Sequence, residues 1–147
     1  MTARSRRLIE GLIVAILLTG CAPTVNQPYV RHDRIPEGKA IVYVYRPSLI
    51  LWLSSIDIKA NGTIVNSMYS GTYYPYVTDP GLIEFSAKTE TTDTISLYAQ
   101  AGQTYFLKMG FKQGILMFRP HLMIVPESEA EQEITEFNYK LLREPGN

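Results

Sequence analysis

Apolar and polar residues alternate with a period of two over most of the chain after residue 38, which is typical of β-strands buried on one face. The alternation is clearest in residues 56–60, 82–88 and 94–100. In residues 40–46 both alternating positions are apolar, which predicts a strand covered on both faces. Turn residues separate these runs. The pattern predicts an all-β, antiparallel, immunoglobulin-like or transthyretin-like β-sandwich of about seven to eight strands.

Residues 56–68 predict a β-hairpin around Asn61-Gly62. A two-residue type I′ turn requires a positive φ at both central positions, and Asn followed by Gly is the sequence that adopts it most readily. Continuing the register of a two-residue loop pairs Ile58 with Val65 on the inner face of the sandwich.

The pattern changes after Pro126, where residues 127–137 are rich in helix formers. Acidic side chains occupy the first turn, next to the positive end of the helix dipole. We therefore predict one short C-terminal helix, seated on the sandwich by Ile134 and Phe137. The acidic run is interpreted as a solvated face. Residues 143–147 are predicted to be a frayed C-terminus.

The N-terminus has a different layout, with three arginines in the first seven residues and an apolar run that ends at Leu18. This layout is typical of a secretory signal, and the run is shorter than the roughly 20 residues that a membrane-spanning helix needs. The run leads into Leu18-Thr19-Gly20-Cys21, and Cys21 is the only cysteine of the chain. These four residues resemble the lipobox of bacterial lipoproteins. The resemblance implies cleavage after Gly20, with diacylglycerol and palmitate attached to Cys21.

The implied anchor predicts a protein of the bacterial cell envelope that is bound to the membrane by its lipid. Each buried methylene contributes about 0.8 kcal/mol, so several acyl chains hold a protein almost permanently. By resemblance to enterobacterial sorting, Ala22 in place of Asp favours the outer membrane, with the domain facing the periplasm. Residues 1–20 are predicted as the lipoprotein signal peptide and residues 21–38, with three prolines, as lipidated Cys21 and a flexible tether. The β-sandwich domain is predicted at residues 39–142.

A series of short motifs follows the lipobox in a fixed order. It comprises A-x-V-Y-V-Y-R-P from Ala40, the turn Asn61-Gly62, Gly81 before a strand, and Ala101-Gly102-x-x-Tyr105. Over residues 39–126 this series resembles a family of small bacterial proteins defined only as a domain of unknown function, whose members are often predicted lipoproteins. The resemblance implies a β-sandwich, and it brings no established activity or catalytic residues.

Charge and chemistry narrow the function. Removing residues 1–20 takes away three arginines and one glutamate, which leaves 11 basic and 13 acidic residues and a formal net charge of −2. Without a basic patch, nucleic acid is not expected as a partner. His32, in the tether, and His121, among apolar residues, are interpreted as ordinary residues, and no catalytic motif or metal-ligand cluster is present in the sequence. We predict that the protein is not an enzyme and carries no cofactor beyond the covalent lipid on Cys21.

One uncharged apolar run is a candidate binding surface, and it contains the only tryptophan. It consists of Leu49, Ile50, Leu51, Trp52 and Leu53. The run is either a buried strand or cover for the open end of the sandwich, or it is an exposed patch that meets another envelope protein. The second alternative makes the protein a structural or protein-interaction module, and an accessory lipoprotein of a secretion apparatus is a special case.

Tyrosines are abundant, with ten in the chain, and three lie close together at Tyr73, Tyr74 and Tyr76. They are either packed rings with their hydroxyls in water or a platform on which sugar rings stack. The platform gives the alternative function, a glycan- or peptidoglycan-binding module.

Overall fold

The computed structural model describes residues 24–25, 27–48, 55–116 and 118–145. Their strands are β1 (Thr24–Val25), β2 (Ala40–Arg46), β3 (Ile56–Ala60), β4 (Thr63–Met68), β5 (Thr72–Thr78), β6 (Gly81–Lys88), β7 (Thr92–Ala99), β8 (Thr104–Lys112), β9 (Arg119–Val125) and β10 (Lys140–Leu142). One helix, α1 (Glu127–Glu136), lies between β9 and β10. The all-β sandwich with a short C-terminal helix is therefore confirmed.

The strands form two sheets. The larger has the order β1-β10-β5-β2-β8-β9, and the smaller has the order β4-β3-β6-β7. Most neighbours are antiparallel, as predicted, but β2 runs parallel to β8 and β10 runs parallel to β5. The ten strands in the described part exceed the predicted number, mainly because β1 and β10 are only two and three residues long.

Two hydrophobic cores lie on the two faces of the larger sheet. Val42 and Val44 face the smaller sheet, whereas Tyr43 and Tyr45 face α1 and the N-terminal residues. All residues of β2 are buried, because successive side chains point to opposite faces and both faces are covered. The prediction that residues 40–46 are buried on both sides is confirmed.

The β3–β4 hairpin turns at the predicted place, with φ of 49° at Asn61 and 82° at Gly62. The predicted register holds for Ala60 with Thr63 and is wrong from Ile58, which pairs with Asn66 rather than with Val65. A β-bulge adds one residue to β4, which lets both Val65 and Asn66 be buried in succession.

The ends of the predicted domain also differ. Residues 24–25, which the sequence placed in the flexible tether, form β1, which pairs with β10. At the other end, the Asn66 amide donates to the Arg143 carbonyl and the Tyr74 hydroxyl donates to Glu144, so the predicted fraying is wrong at residues 143–144. Fixed contacts at both ends extend the domain beyond residues 39–142.

Helix α1 packs on the larger sheet through Ala130 and Ile134, both fully buried. The prediction for Phe137 is wrong, because its side chain is exposed. Asn138 adopts a left-handed φ of 51°, which ends the helix and turns the chain back to place Tyr139 in the core instead. In the part of the chain that the structure describes, no helix has the length and apolar character needed to cross a membrane.

Candidate functional site

Two of the predicted sites lie outside the described residues. They are the lipobox with the lipidated cysteine, Leu18, Thr19, Gly20 and Cys21, and the apolar run Leu49, Ile50, Leu51, Trp52 and Leu53. The first described residue after Cys21 is Thr24, on the outer edge of the larger sheet.

The three clustered tyrosines do not share a surface. Tyr73 and Tyr74 are only 3% and 7% exposed, and they belong to the two different cores on opposite faces of the larger sheet. Tyr76 faces the same side as Tyr74 and packs edge-on against Phe85, with ring centroids 6.1 Å apart. Because adjacent strand residues point in opposite directions, no stacking platform forms, and that prediction is wrong.

Tyr29 holds the N-terminal residues against the larger sheet. Its ring packs edge-on against those of Tyr43 and Tyr73, with centroids 5.8 and 5.2 Å away. The Tyr29 hydroxyl donates to Glu131 of α1 over 3.0 Å. Burial, and then the hydrogen bond to Glu131, raise the pKa of Tyr29 well above its usual range, so the phenol stays protonated as a donor.

Residues 31 and 32 fasten the same segment further along. The backbone N–H of His32 donates to the Tyr43 hydroxyl over 2.8 Å, and the imidazole Nδ1 lies 2.9 Å from the same oxygen. Arg31 forms an ion pair with Glu127 and lies 3.7 Å from Glu131. His32 is exposed, as the sequence predicted, but it is hydrogen-bonded to the sheet, and the segment partly covers the acidic face of α1.

A third acidic residue of α1, Glu133, is the centre of a polar cluster between the helix and the sheet. Its carboxylate accepts a hydrogen bond from the Lys108 ammonium at 2.7 Å. It also accepts from the hydroxyls of Tyr45 at 3.2 Å and Tyr139 at 3.3 Å. The Lys108 and Glu133 side chains retain only 22% and 17% of their exposure, so the pair is shielded from most of the solvent.

The pKa shifts in this cluster fit a structural contact between α1 and the sheet, which we call the Glu133 clamp. Burial is the largest cause that raises the pKa of Tyr45 and Tyr139, and the charge of Glu133 adds to it. An activated nucleophile or general base needs a pKa brought toward neutrality, and these shifts lead away from it. The two phenols and Lys108 act as donors that hold Glu133, and with it α1, against the sheet.

Arg46 ends β2 as a buried cation. One of its terminal nitrogens donates to the Met68 carbonyl at 2.7 Å, and the guanidinium lies 5.1 Å from the ring centroid of Phe111. Burial lowers the pKa of Arg46. The sequence analysis identified neither Arg46 nor the Glu133 cluster as a site. The available signal was that Arg46 and Lys108 are basic residues in otherwise apolar strands.

Among the residues that the structure describes, no group of three His, Cys, Asp or Glu side chains is arranged to hold a metal ion.

Comparison with known proteins adds one relative. No protein-family model matches the chain. The chain is 25% identical over 133 residues to an uncharacterised protein of Haemophilus influenzae, in an alignment covering 85% of this chain and 79% of that protein. The similarity spans most of both chains. The resemblance to the lipoprotein family of unknown function stays a prediction.

Proposed function

We propose that the protein is a lipid-anchored envelope lipoprotein whose folded domain is held close against the membrane, and that it serves as a structural or protein-interaction module without catalytic activity. The observation that carries the proposal is the position of β1. Thr24 and Val25 pair with Leu142 and Leu141, and only three residue steps separate Thr24 from Cys21.

The short connection limits how far the domain can lie from its anchor. An extended chain spans at most about 3.6 Å per residue, so three steps reach roughly 10 Å. A lipid on Cys21 would therefore hold the edge of the larger sheet within one helix diameter of the membrane surface. A rigid body held so close suits a scaffold better than a domain that samples the periplasm on a long tether.

The contacts of residues 27–33 support the same role. Tyr29, Arg31 and His32 bind this segment to both the sheet and α1. The chain that follows the proposed anchor is therefore held in a fixed orientation relative to the domain. The outer membrane remains our proposal for the location. The proposed partner is another envelope protein that contacts the run from Leu49 to Leu53.

Metabolic labelling with a palmitate analogue tests the anchor. We expect Cys21→Ser to abolish labelling and to leave the chain unprocessed or released from the membrane, because the thioether cannot form. Thr19→Ser is the matched control, since it keeps a small residue beside the cleavage site, and it should label like the unchanged chain. Label retained by Cys21→Ser would show that the lipid is attached at another residue and would contradict the anchor at Cys21.

Photo-crosslinking in intact cells tests the interaction role. A photoreactive residue in place of Trp52 should give a discrete adduct with one envelope protein. The control position is Tyr98, which is exposed on the outer face of the smaller sheet. An identical adduct pattern at both positions would contradict a partner at the apolar run.

A further inference from the structure

The loop between β8 and β9 displays apolar side chains to the solvent. Ile115 is 84% exposed and Leu116 is 88% exposed, more than any other large hydrophobic side chain in the described part of the chain. Phe118 is also partly exposed. We propose that these three residues, the β8–β9 tip, enter the boundary between headgroups and acyl chains of a bilayer that contains anionic lipid. The tip would then be a second membrane contact besides the lipid anchor.

Three polar backbone groups of the tip have hydrogen-bond partners within the protein, which suits an apolar environment. The N–H groups of Ile115 and Leu116 both donate to the carboxylate of Glu90 at 3.3 Å, and the Thr89 hydroxyl donates to the Phe118 carbonyl at 3.0 Å. A polar backbone group without a partner is costly in hydrocarbon, where no water can replace the lost hydrogen bond. The apolar side chains can therefore approach the acyl region while these three backbone groups keep their partners.

The charge of Glu90 is balanced within the loop. Arg119 donates from its Nε to Glu90 at 3.3 Å. Loss of hydration alone would raise the pKa of Glu90, but the hydrogen bonds from Arg119 and from the two backbone N–H groups lower it. The carboxylate thus stays ionised and paired, and it fixes the conformation that turns Ile115 and Leu116 outward.

The flanks of the tip are basic although the mature chain is acidic overall. Lys112 and Arg119 lie directly opposite each other across β8 and β9. Glu90 balances the charge of Arg119, so the exposed Lys112 leaves the flanks of the tip with a net positive charge. Long basic side chains can lie along an apolar surface with their charges among anionic headgroups, and this arrangement favours a lipid surface as the occupant.

The proposal rests on the proposed lipid anchor, because a few apolar side chains alone bind a bilayer weakly. β1, next to Cys21, and β9, next to the tip, are the two opposite edge strands of the larger sheet. One contact at each edge would fix the rotation of the domain on the membrane, which a single attachment leaves free.

Lipid quenching of a single fluorophore tests the tip. Cys21 is the only natural cysteine, and its lipidated sulfur does not react with maleimide, so Leu116→Cys provides one labelling site. Leu82→Cys is the matched control, because Leu82 is also leucine, is 68% exposed, and lies on the smaller sheet. The labelled, full-length proteins are reconstituted in phosphatidylethanolamine–phosphatidylglycerol vesicles with nitroxide lipids, and again with phosphatidylcholine as the only lipid. Ile115→Cys is the second variant if Leu116→Cys does not fold.

We expect nitroxide lipids to quench the probe at position 116 roughly threefold or more strongly than at position 82, and less strongly without phosphatidylglycerol. A protein that floats with the vesicles while its probe at 116 is quenched no more than at 82 overturns the tip proposal alone. A probe shielded only in native envelopes, and not in vesicles, overturns it in favour of a protein partner. Labelling of the unchanged chain, or failure of that chain to float, overturns the anchor and with it the tip.

Discussion

Removing the charge of Glu133 is the sharpest test of how α1 is held on the sheet. Glu133→Gln keeps the size of the side chain but replaces the carboxylate that accepts from Lys108, Tyr45 and Tyr139. A hydrogen bond between charged groups contributes about 1.5–3 kcal/mol, and the 2.7 Å bond to Lys108 falls in that class. The two tyrosine bonds are long and can partly persist to an amide oxygen. We expect the free energy of unfolding to fall by about 2 kcal/mol, since the pair keeps some exposure to solvent.

Urea denaturation followed by far-UV circular dichroism measures this loss. Glu136→Gln, the same change at an exposed position of the same helix, should stay within about 0.5 kcal/mol of the unchanged chain. Lys108→Met and the double variant complete a cycle, for which we expect a coupling of about 1–2 kcal/mol. If Glu133→Gln is as harmless as Glu136→Gln, or if the coupling is close to zero, the clamp contributes nothing and apolar packing alone holds α1.

Two further predictions concern alkaline pH and one turn. Burial is the largest cause that raises the pKa of six tyrosines, Tyr29, Tyr43, Tyr45, Tyr73, Tyr74 and Tyr139. The same tyrosines lose their protons near pH 10 in the unfolded chain, so their contribution to the free energy of unfolding should be full below that pH and fall above it. Phenolate absorbance from these residues should therefore appear together with unfolding. Ionisation of these tyrosines in a chain whose dichroism spectrum is intact would refute this. Gly71 and Gly38 have similar φ values of 67° and 71°, but only at Gly71 would a Cβ collide, with the Ser48 hydroxyl. In urea denaturation, Gly71→Ala should lower the free energy of unfolding by about 1 kcal/mol more than Gly38→Ala does. Ser48→Ala should remove this difference. Equal losses for the two glycine variants in the presence of Ser48 would contradict the collision.

Patterns that repeat along the chain predicted the fold well. Residues 40–46 lack polar alternation because both faces are covered, and this local signal was sufficient to predict a strand buried on both sides. The turn at Asn61-Gly62 was equally local, because only these residue types adopt two positive φ values cheaply. The bulge in β4 was not predictable, because it depends on how Val65 and Asn66 meet the rest of the molecule rather than on their neighbours in sequence.

Long-range contacts account for the remaining errors. The prolines of residues 21–38 indicated a free tether, but Tyr29 packs against Tyr43 and Tyr73, and Arg31 and His32 make polar contacts with the domain. Adjacent tyrosines at Tyr73 and Tyr74 looked like one surface until the strand separated them onto two faces. Such pairings depend on residues far away in sequence, and no periodic pattern encodes them.

The pairing of β1 with β10 has a consequence for the order of events during biosynthesis. Thr24 and Val25 pair with Leu142 and Leu141 of β10, which follows every other described strand in the chain. Contacts so distant in sequence form late, because the intervening chain must first be ordered. Thr24 and Val25 therefore stay unpaired until the strands between them and β10 have been synthesised, and under the lipidation proposed above the processing enzyme would meet Cys21 before this pairing forms.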